Sequence, residues 1–162
     1  MSLIASLLPA ANVVAAFDAG GKKRVFEEAG ILFESQLGLA RDLVFDKLFT
    51  RERLGSTGLG QGVAIPHCRL AGLAEAAGAF VRLATPIPFD APDGRPVSLV
   101  FVLLVPEEAN DTHLQLLSEL ARMFSDRAFR EQLLAAPDAA ALHALLTGWK
   151  GNPENGAIDD IA

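Results

Sequence analysis

Val97-Ser98-Leu99-Val100-Phe101-Val102-Leu103-Leu104-Val105 is the most apolar run in the chain. Its β-branched and aromatic content favours a strand. Its lack of polar alternation means that both faces must be covered. Pro106 follows and ends it, having no N–H to give to a ladder. A strand of this kind belongs in the middle of a sheet that is flanked on either side.

The remaining segments supply the flanks. Residues 3–8 read as a short apolar turn ended by Pro9, and residues 12–17 as an edge strand. Residues 22–36 read as a helix, with Val25, Ala29, Leu32, Phe33 and Gln36 at helical spacing and Gly38 as its stop. Residues 41–54 read as a second, with Val44/Leu48 and Phe45/Phe49 as i,i+4 pairs and Gly55 at its end. Residues 79–83 and 87–89 read as strand, joined to the central run by an Asp93-Gly94 hairpin turn. Thr112-His113-Leu114-Gln115 fits a capping box that opens a helix striped by Leu114, Leu117, Ala121 and Phe124. Residues 128–135 and 138–146 are two more helices, parted by Pro137. The expectation is an α/β fold, a single-domain sandwich with a mixed β-sheet flanked by helices. It covers residues 1–148, and residues 149–162 form a flexible tail.

Composition closes off several functions. Net charge is −6 with a pI near 5.0, and no basic run exists. Nucleic acid and anionic membrane surfaces are therefore poor partners. No apolar stretch reaches the ~18 residues needed to span a bilayer, and the N-terminus lacks a basic region ahead of an apolar one. The single cysteine, Cys68, excludes an internal disulfide and a cysteine-cluster metal site. A cytoplasmic protein is the simplest expectation.

The chemistry gathers around residues 55–69. Four glycines fall within the eight residues from Gly55 to Gly62, a density that weakens regular structure and lets backbone approach other groups closely. Val63-Ala64-Ile65 reads as a short buried strand ending at Pro66, which leaves His67 at a strand end. His113 also follows a strand closed by a proline, through a loop. If the two strands are parallel neighbours, the two imidazoles meet in one cleft. If not, His113 is a surface histidine at a helix start. Arg51 and Arg53 lie in the last turn of a helix, where a cation favours the negative end. A guanidinium there is also suited to a phosphoryl group. His143 sits among Ala139, Leu142, Leu145 and Leu146, so packing explains it. The glycine loop lacks the Gly-Lys-Ser/Thr ending of a P-loop and the spacing of a dinucleotide fold. No third ligand beyond Asp111 stands near the two histidines to make a metal site.

The segment from Arg51 to His67 resembles the signature of the enzyme IIA domain of fructose/mannitol type, from the bacterial phosphoenolpyruvate-dependent phosphotransferase system. The Gly55-Ser56-Thr57-Gly58 form is most similar to the nitrogen-regulatory branch. The likeness extends over residues 3–148 and takes in Thr85-Pro86-Ile87-Pro88-Phe89-Asp90, Leu103-Leu104-Val105-Pro106 and Thr112-His113-Leu114. It implies that His67 accepts the phosphoryl group, and that His113 and Arg51 help to hold it. Cys68 departs from the pattern, which has glycine there, and places a thiol next to the nucleophile.

The resemblance implies a phosphoryl donor that is a histidine-phosphorylated carrier protein of the HPr type, docked on apolar residues around the glycine loop such as Leu59. It implies regulatory targets such as potassium-transport or sensor-kinase proteins. Transfer between two histidines requires alignment and charge stabilisation but no metal, nucleotide or other cofactor. Within the family, the alternative is a sugar-specific IIA subunit. Outside it, the alternatives are a non-catalytic binding module and a two-histidine hydrolase.

Overall fold

The computed structural model describes residues 3–108 and 111–150. After a short 3-10 turn, Ala10–Asn12, the elements run β1 (Val13–Phe17), α1 (Lys22–Leu37), α2 (Arg41–Leu54), β2 (Gly58–Gly60), β3 (Val63–Ala64), β4 (His67–Leu70), β5 (Ala77–Ile87), β6 (Val97–Pro106), α3 (Asp111–Ser125), α4 (Arg127–Ala135) and α5 (Ala139–Gly148). The sheet order is β1-β5-β6-β3-β2, with β4 also paired to β6. β1 is parallel to β5, β5 is antiparallel to β6, and β3 and β4 are both parallel to β6. The sheet is mixed, with the apolar run 97–105 at its centre, as expected.

Alternation along β6 divides the interior. Leu99, Phe101, Leu103 and Val105 face a core shared with α3, α4, α5 and the N-terminal segment. Val97, Val100, Val102 and Leu104 face a second core shared with α1 and α2. From Leu99 to Val105 period-2 side-chain geometry makes this division; Val97 falls out of step, beyond the register shift that separates the Arg82–Leu99 and Ile87–Val97 pairs. Fully burying side chains such as Phe101 or Leu103 contributes roughly 1.5–3 kcal/mol each, and both are wholly inaccessible. Helices lie on both sides of the sheet, so the α/β sandwich is observed. No helix among the described residues is long and apolar enough to cross a membrane.

Several local expectations shift. Gly58–Gly60 is strand rather than loop: β2 forms a tight hairpin with β3, and Gly60, Gln61 and Gly62 carry the positive φ angles of the turn. The connection from β5 to β6 is longer than a two-residue Asp-Gly turn. The strands pair out to Ile87 and Val97, and residues 88–96 form a loop that bonds to Ser56 before β2 and to Gln61 in the β2–β3 turn. Helix α3 already begins at Asp111, so Thr112 lies inside it instead of capping it, and the Thr112 side chain is outside the described residues. Trp149, at the start of the expected tail, packs its ring against Phe129. Residues 151–162 lie outside the described residues.

Helix α2 carries Arg51, and its seat depends on a close approach. A Cβ placed on Gly30 of α1 would stand 2.7 Å from the backbone oxygen of Arg41, at the start of α2. Backbone cannot step aside as a side chain can. Gly30→Ala is therefore expected to destabilise the fold by about 1–3 kcal/mol, despite the up to ~1 kcal/mol that alanine gains in helix propensity. Gly20→Ala, with nothing within 4 Å of its Cβ, should stay within ~0.5 kcal/mol of the parent. Urea unfolding midpoints of the two variants check this, and equal midpoints would contradict it.

Candidate functional site

Ile65-Pro66-His67 is the backbone on which the site is built. In an extended strand the N–H and C=O of one residue point to one edge, and those of the next residue to the other. Ile65 points away from β6, and its N–H donates to the Thr57 carbonyl at 3.0 Å. Pro66 points toward β6, where its carbonyl accepts from Leu103 N–H at 2.9 Å. Having no N–H of its own, Pro66 interrupts the ladder and divides β3 from β4. His67 therefore does not lie beyond a strand end. It is the first residue of β4, opposite Leu103 of β6.

The free side of Ile65 receives the imidazole. The Nδ1–H of His67 donates to the Ile65 carbonyl at 2.7 Å. An oxygen with no proton can only accept, so this contact places the ring proton on Nδ1 and leaves the lone pair on Nε2. Burial and the Arg51 cation disfavour protonation of the ring, while the Ile65 carbonyl and the Glu52 carboxylate favour it. Burial is the largest influence, and the His67 pKa falls below the ordinary histidine value.

A pocket of about 560 Å³ opens over this ring. Its walls come from α2 (Lys47, Arg51), β4 (His67, Arg69) and the first turn of α3 (Asp111, His113). Because β3 and β4 run parallel to β6, the loop leaving β6 delivers α3 beside His67. The two histidines thus share one cleft with Arg51. Arg51 also donates to the Gly55 carbonyl at 2.9 Å, so the guanidinium closes the end of α2 while bordering the pocket. Leu54 and Leu114 are 82% and 67% exposed and line the same opening. Leu59, expected near the nucleophile, is exposed on the β2–β3 hairpin and does not line the pocket.

Other candidates fall elsewhere. The Arg53 guanidinium lies over the Phe49 ring, 5.8 Å from its centroid. The Nε2 of His143 lies 2.9 Å from the Leu8 carbonyl, tying α5 to the N-terminal segment. Cys68 borders the same pocket as His67, but from the other face of β4. Cys68 is one step along β4 from His67, so its side chain enters the α1–α2 core, where burial pushes its pKa up to about 12. A thiol held that far from ionisation is inert at neutral pH.

Glu52 is a further residue of the site, outside the candidates that the sequence singles out. It is buried, with 7% of its surface exposed, and its carboxylate takes both the N–H and the hydroxyl of Thr57. Lys22 Nζ pairs with it at 2.9 Å and reaches Asp90 at 3.0 Å. A carboxylate in the last turn of a helix opposes the macrodipole. That mismatch, at a position between two arginines, was the available signal that Glu52 has partners outside its helix.

The family described as phosphoenolpyruvate-dependent sugar phosphotransferase system, EIIA 2, matches residues 6–148. A nitrogen regulatory protein of Pseudomonas aeruginosa is 46% identical over 128 residues, spanning 78% of this chain and 83% of that protein. One from Escherichia coli is 43% identical over 134 residues, 82% of each. The crystal structure of nitrogen regulatory protein IIA-Ntr from Neisseria meningitidis is 54% identical, covers 90% of this chain and 99% of its own, and superposes with a TM-score of 0.85. The match takes in the whole sheet, all five α-helices and every residue of the cleft, and on that ground the chain belongs to the EIIA 2 family of the phosphotransferase system.

Proposed function

We propose that this chain is a nitrogen-regulatory IIA protein that accepts a phosphoryl group on Nε2 of His67. The observation that carries the reading is the His67–Ile65 hydrogen bond at 2.7 Å, inside a cleft bordered by Arg51 and His113. A nitrogen nucleophile needs its lone pair turned outward and its other nitrogen occupied. The Ile65 carbonyl supplies that condition, and burial keeps the ring neutral near pH 7.

The donor is a histidine-phosphorylated carrier protein of the HPr type. The lone pair of His67 Nε2 attacks phosphorus, a new N–P bond forms, and the donor's N–P bond breaks. The electron pair of the broken bond stays on the donor's ring nitrogen. Negative charge on the phosphoryl oxygens is stabilised by the Arg51 guanidinium, by a hydrogen bond from His113 and by the positive end of α3. His67 then rests as a phosphohistidine bearing negative charge in a cleft whose rim includes Leu54 and Leu114. That local change in charge beside exposed apolar side chains is what a regulatory partner would read. Potassium-transport and sensor-kinase proteins are the target classes proposed. The regulatory reading rests on the nitrogen regulatory relatives at 46% and 54% identity.

The test is to incubate the protein with phosphoenolpyruvate, enzyme I and the carrier protein and to measure intact mass. One added phosphoryl group is expected in the parent and none in His67→Ala. No addition, or an addition that survives His67→Ala, overturns the assignment.

The electrostatics predict a second result. Because burial lowers the His67 pKa, the neutral ring persists as pH falls through the ordinary value of about 6.5. The NMR titration midpoint of the His67 ring is expected below that value, and the phosphoryl-accepting form is lost only below the midpoint. A midpoint at or above the ordinary value would contradict the assigned environment.

A further inference from the structure

Glu52 is the buried carboxylate that the phosphotransfer step leaves unused. Its hydrogen bonds do not end at Thr57. The Thr57 carbonyl accepts from Ile65 N–H at 3.0 Å, and the Ile65 carbonyl accepts from His67 Nδ1–H at 2.7 Å. From the other side, Lys22 anchors the same carboxylate at 2.9 Å. The series runs from α1 through the end of α2 and the foot of the β2–β3 hairpin to the imidazole, and each link involves backbone or a nearly inaccessible side chain. Glu52 and Thr57 are 7% and 6% exposed.

We propose that Glu52 is a positioning residue for His67, holding through Thr57 and Ile65 the carbonyl that keeps the ring proton on Nδ1. The proposal rests on the reading of His67 as the phosphoryl acceptor. The Ile65 carbonyl is the group that selects the tautomer, and it can do so only if the residue 65 peptide is fixed. Its partner across the base of the β2–β3 hairpin, Thr57, follows directly after the Gly55-Ser56 exit from α2. Without Glu52, Thr57 would lose the acceptor of its N–H and its hydroxyl together. The segment carrying its carbonyl would keep the β2–β3 pairing and the Ser56 hydroxyl, which donates to the Phe89 carbonyl at 2.6 Å, but would lose its tie to α2 through the Glu52 side chain.

A structural anchor that served only the fold would leave a different trace from one that serves the ring. Charged groups around the ring are Lys47 and Arg51 from α2, Arg69 from β4, and Asp111 with the titratable His113 from α3. Against this background both Glu52 and the Ile65 contact favour the protonated imidazole. Removing the Glu52 charge, with the ring still buried, should lower the His67 midpoint further. General loosening that admits water would instead raise it toward the ordinary value.

The experiment compares Glu52→Ala, Glu52→Gln and Gly30→Ala by nitrogen-15 NMR of the imidazole rings in the unphosphorylated protein, together with the rate of transfer from the phosphorylated carrier. The parent should show His67 with its proton on Nδ1. Glu52→Ala should show mixed tautomers, a lower titration midpoint and transfer slowed at least tenfold. Glu52→Gln keeps an acceptor for Thr57 N–H and should recover most of the Nδ1–H tautomer. Gly30→Ala, strained at the start of α2 and so at the opposite end of that helix from Arg51 and Glu52, should leave the tautomer unchanged. Should Glu52→Ala fail to fold, Thr57→Val, which removes the hydroxyl link at nearly constant volume, is expected to shift the tautomer in the same direction. A folded Glu52→Ala or Thr57→Val that keeps the Nδ1–H tautomer and the parent rate overturns the proposal. The tautomer reading needs no phosphorylation, so it stands or falls separately from the assignment of His67 as acceptor.

Discussion

The site depends on one interruption in a β-ladder. Pro66 lies beside the central strand, gives it a carbonyl, and cannot give it an N–H. Were residue 66 able to donate, β3 and β4 could run on as one strand against β6. Instead the two short strands share β6, and the peptide before the proline turns its carbonyl toward the histidine after it. The central strand fixes the position, the proline the break, and the break the orientation of the imidazole. Each step follows from which backbone groups are available to bond.

Around that point the molecule spends buried polar groups sparingly. Among the described residues the buried polar or charged ones are Asn12, Glu52 and Thr57. Asn12 bonds to Gln36 and to the Gly78 carbonyl, joining the 3-10 turn before β1 to α1 and β5. Glu52 and Thr57 serve the cleft. A buried carboxylate is costly unless fully partnered, and Glu52 has partners from Lys22 and Thr57. Its place beneath the nucleophile's hairpin gives that cost a use. The hairpin is also gripped from above, where Asp93 accepts from Gln61 N–H at 2.8 Å and those backbone bonds hold its carboxyl below the usual carboxylate range.

Much of this was legible in the residues, for identifiable reasons. The run 97–105 announced a central strand because uninterrupted apolarity has few other uses at that length. The first two helices carried stops at Gly38 and Gly55, and the structure ends them there. The meeting of His67 and His113 hinged on whether two strands were parallel neighbours, which pairing, not composition, decides. Harder to read were positions where one step of register changes the outcome. Cys68 borders the His67 pocket, as its place in sequence suggests, but alternation along β4 buries its side chain in the α1–α2 core. Glu52 was hidden because its partners, Lys22 and Thr57, come from other elements, and only the fold brings the first of them near. Leu54 and Leu114 read as an ordinary helix end and an ordinary stripe member. Their exposure around the cleft depends on how α2 and α3 meet the sheet.

The central claim is that backbone geometry, through the Ile65 carbonyl, selects which nitrogen of His67 reacts. The most direct test is to identify the attachment atom in the phosphorylated protein by nitrogen-15 and phosphorus-31 NMR of the His67 ring. The account predicts phosphorus bonded to Nε2, with Nδ1 still protonated and hydrogen-bonded. Phosphorus bonded to Nδ1 would mean that the Ile65 contact does not hold in the reacting protein, and would contradict it.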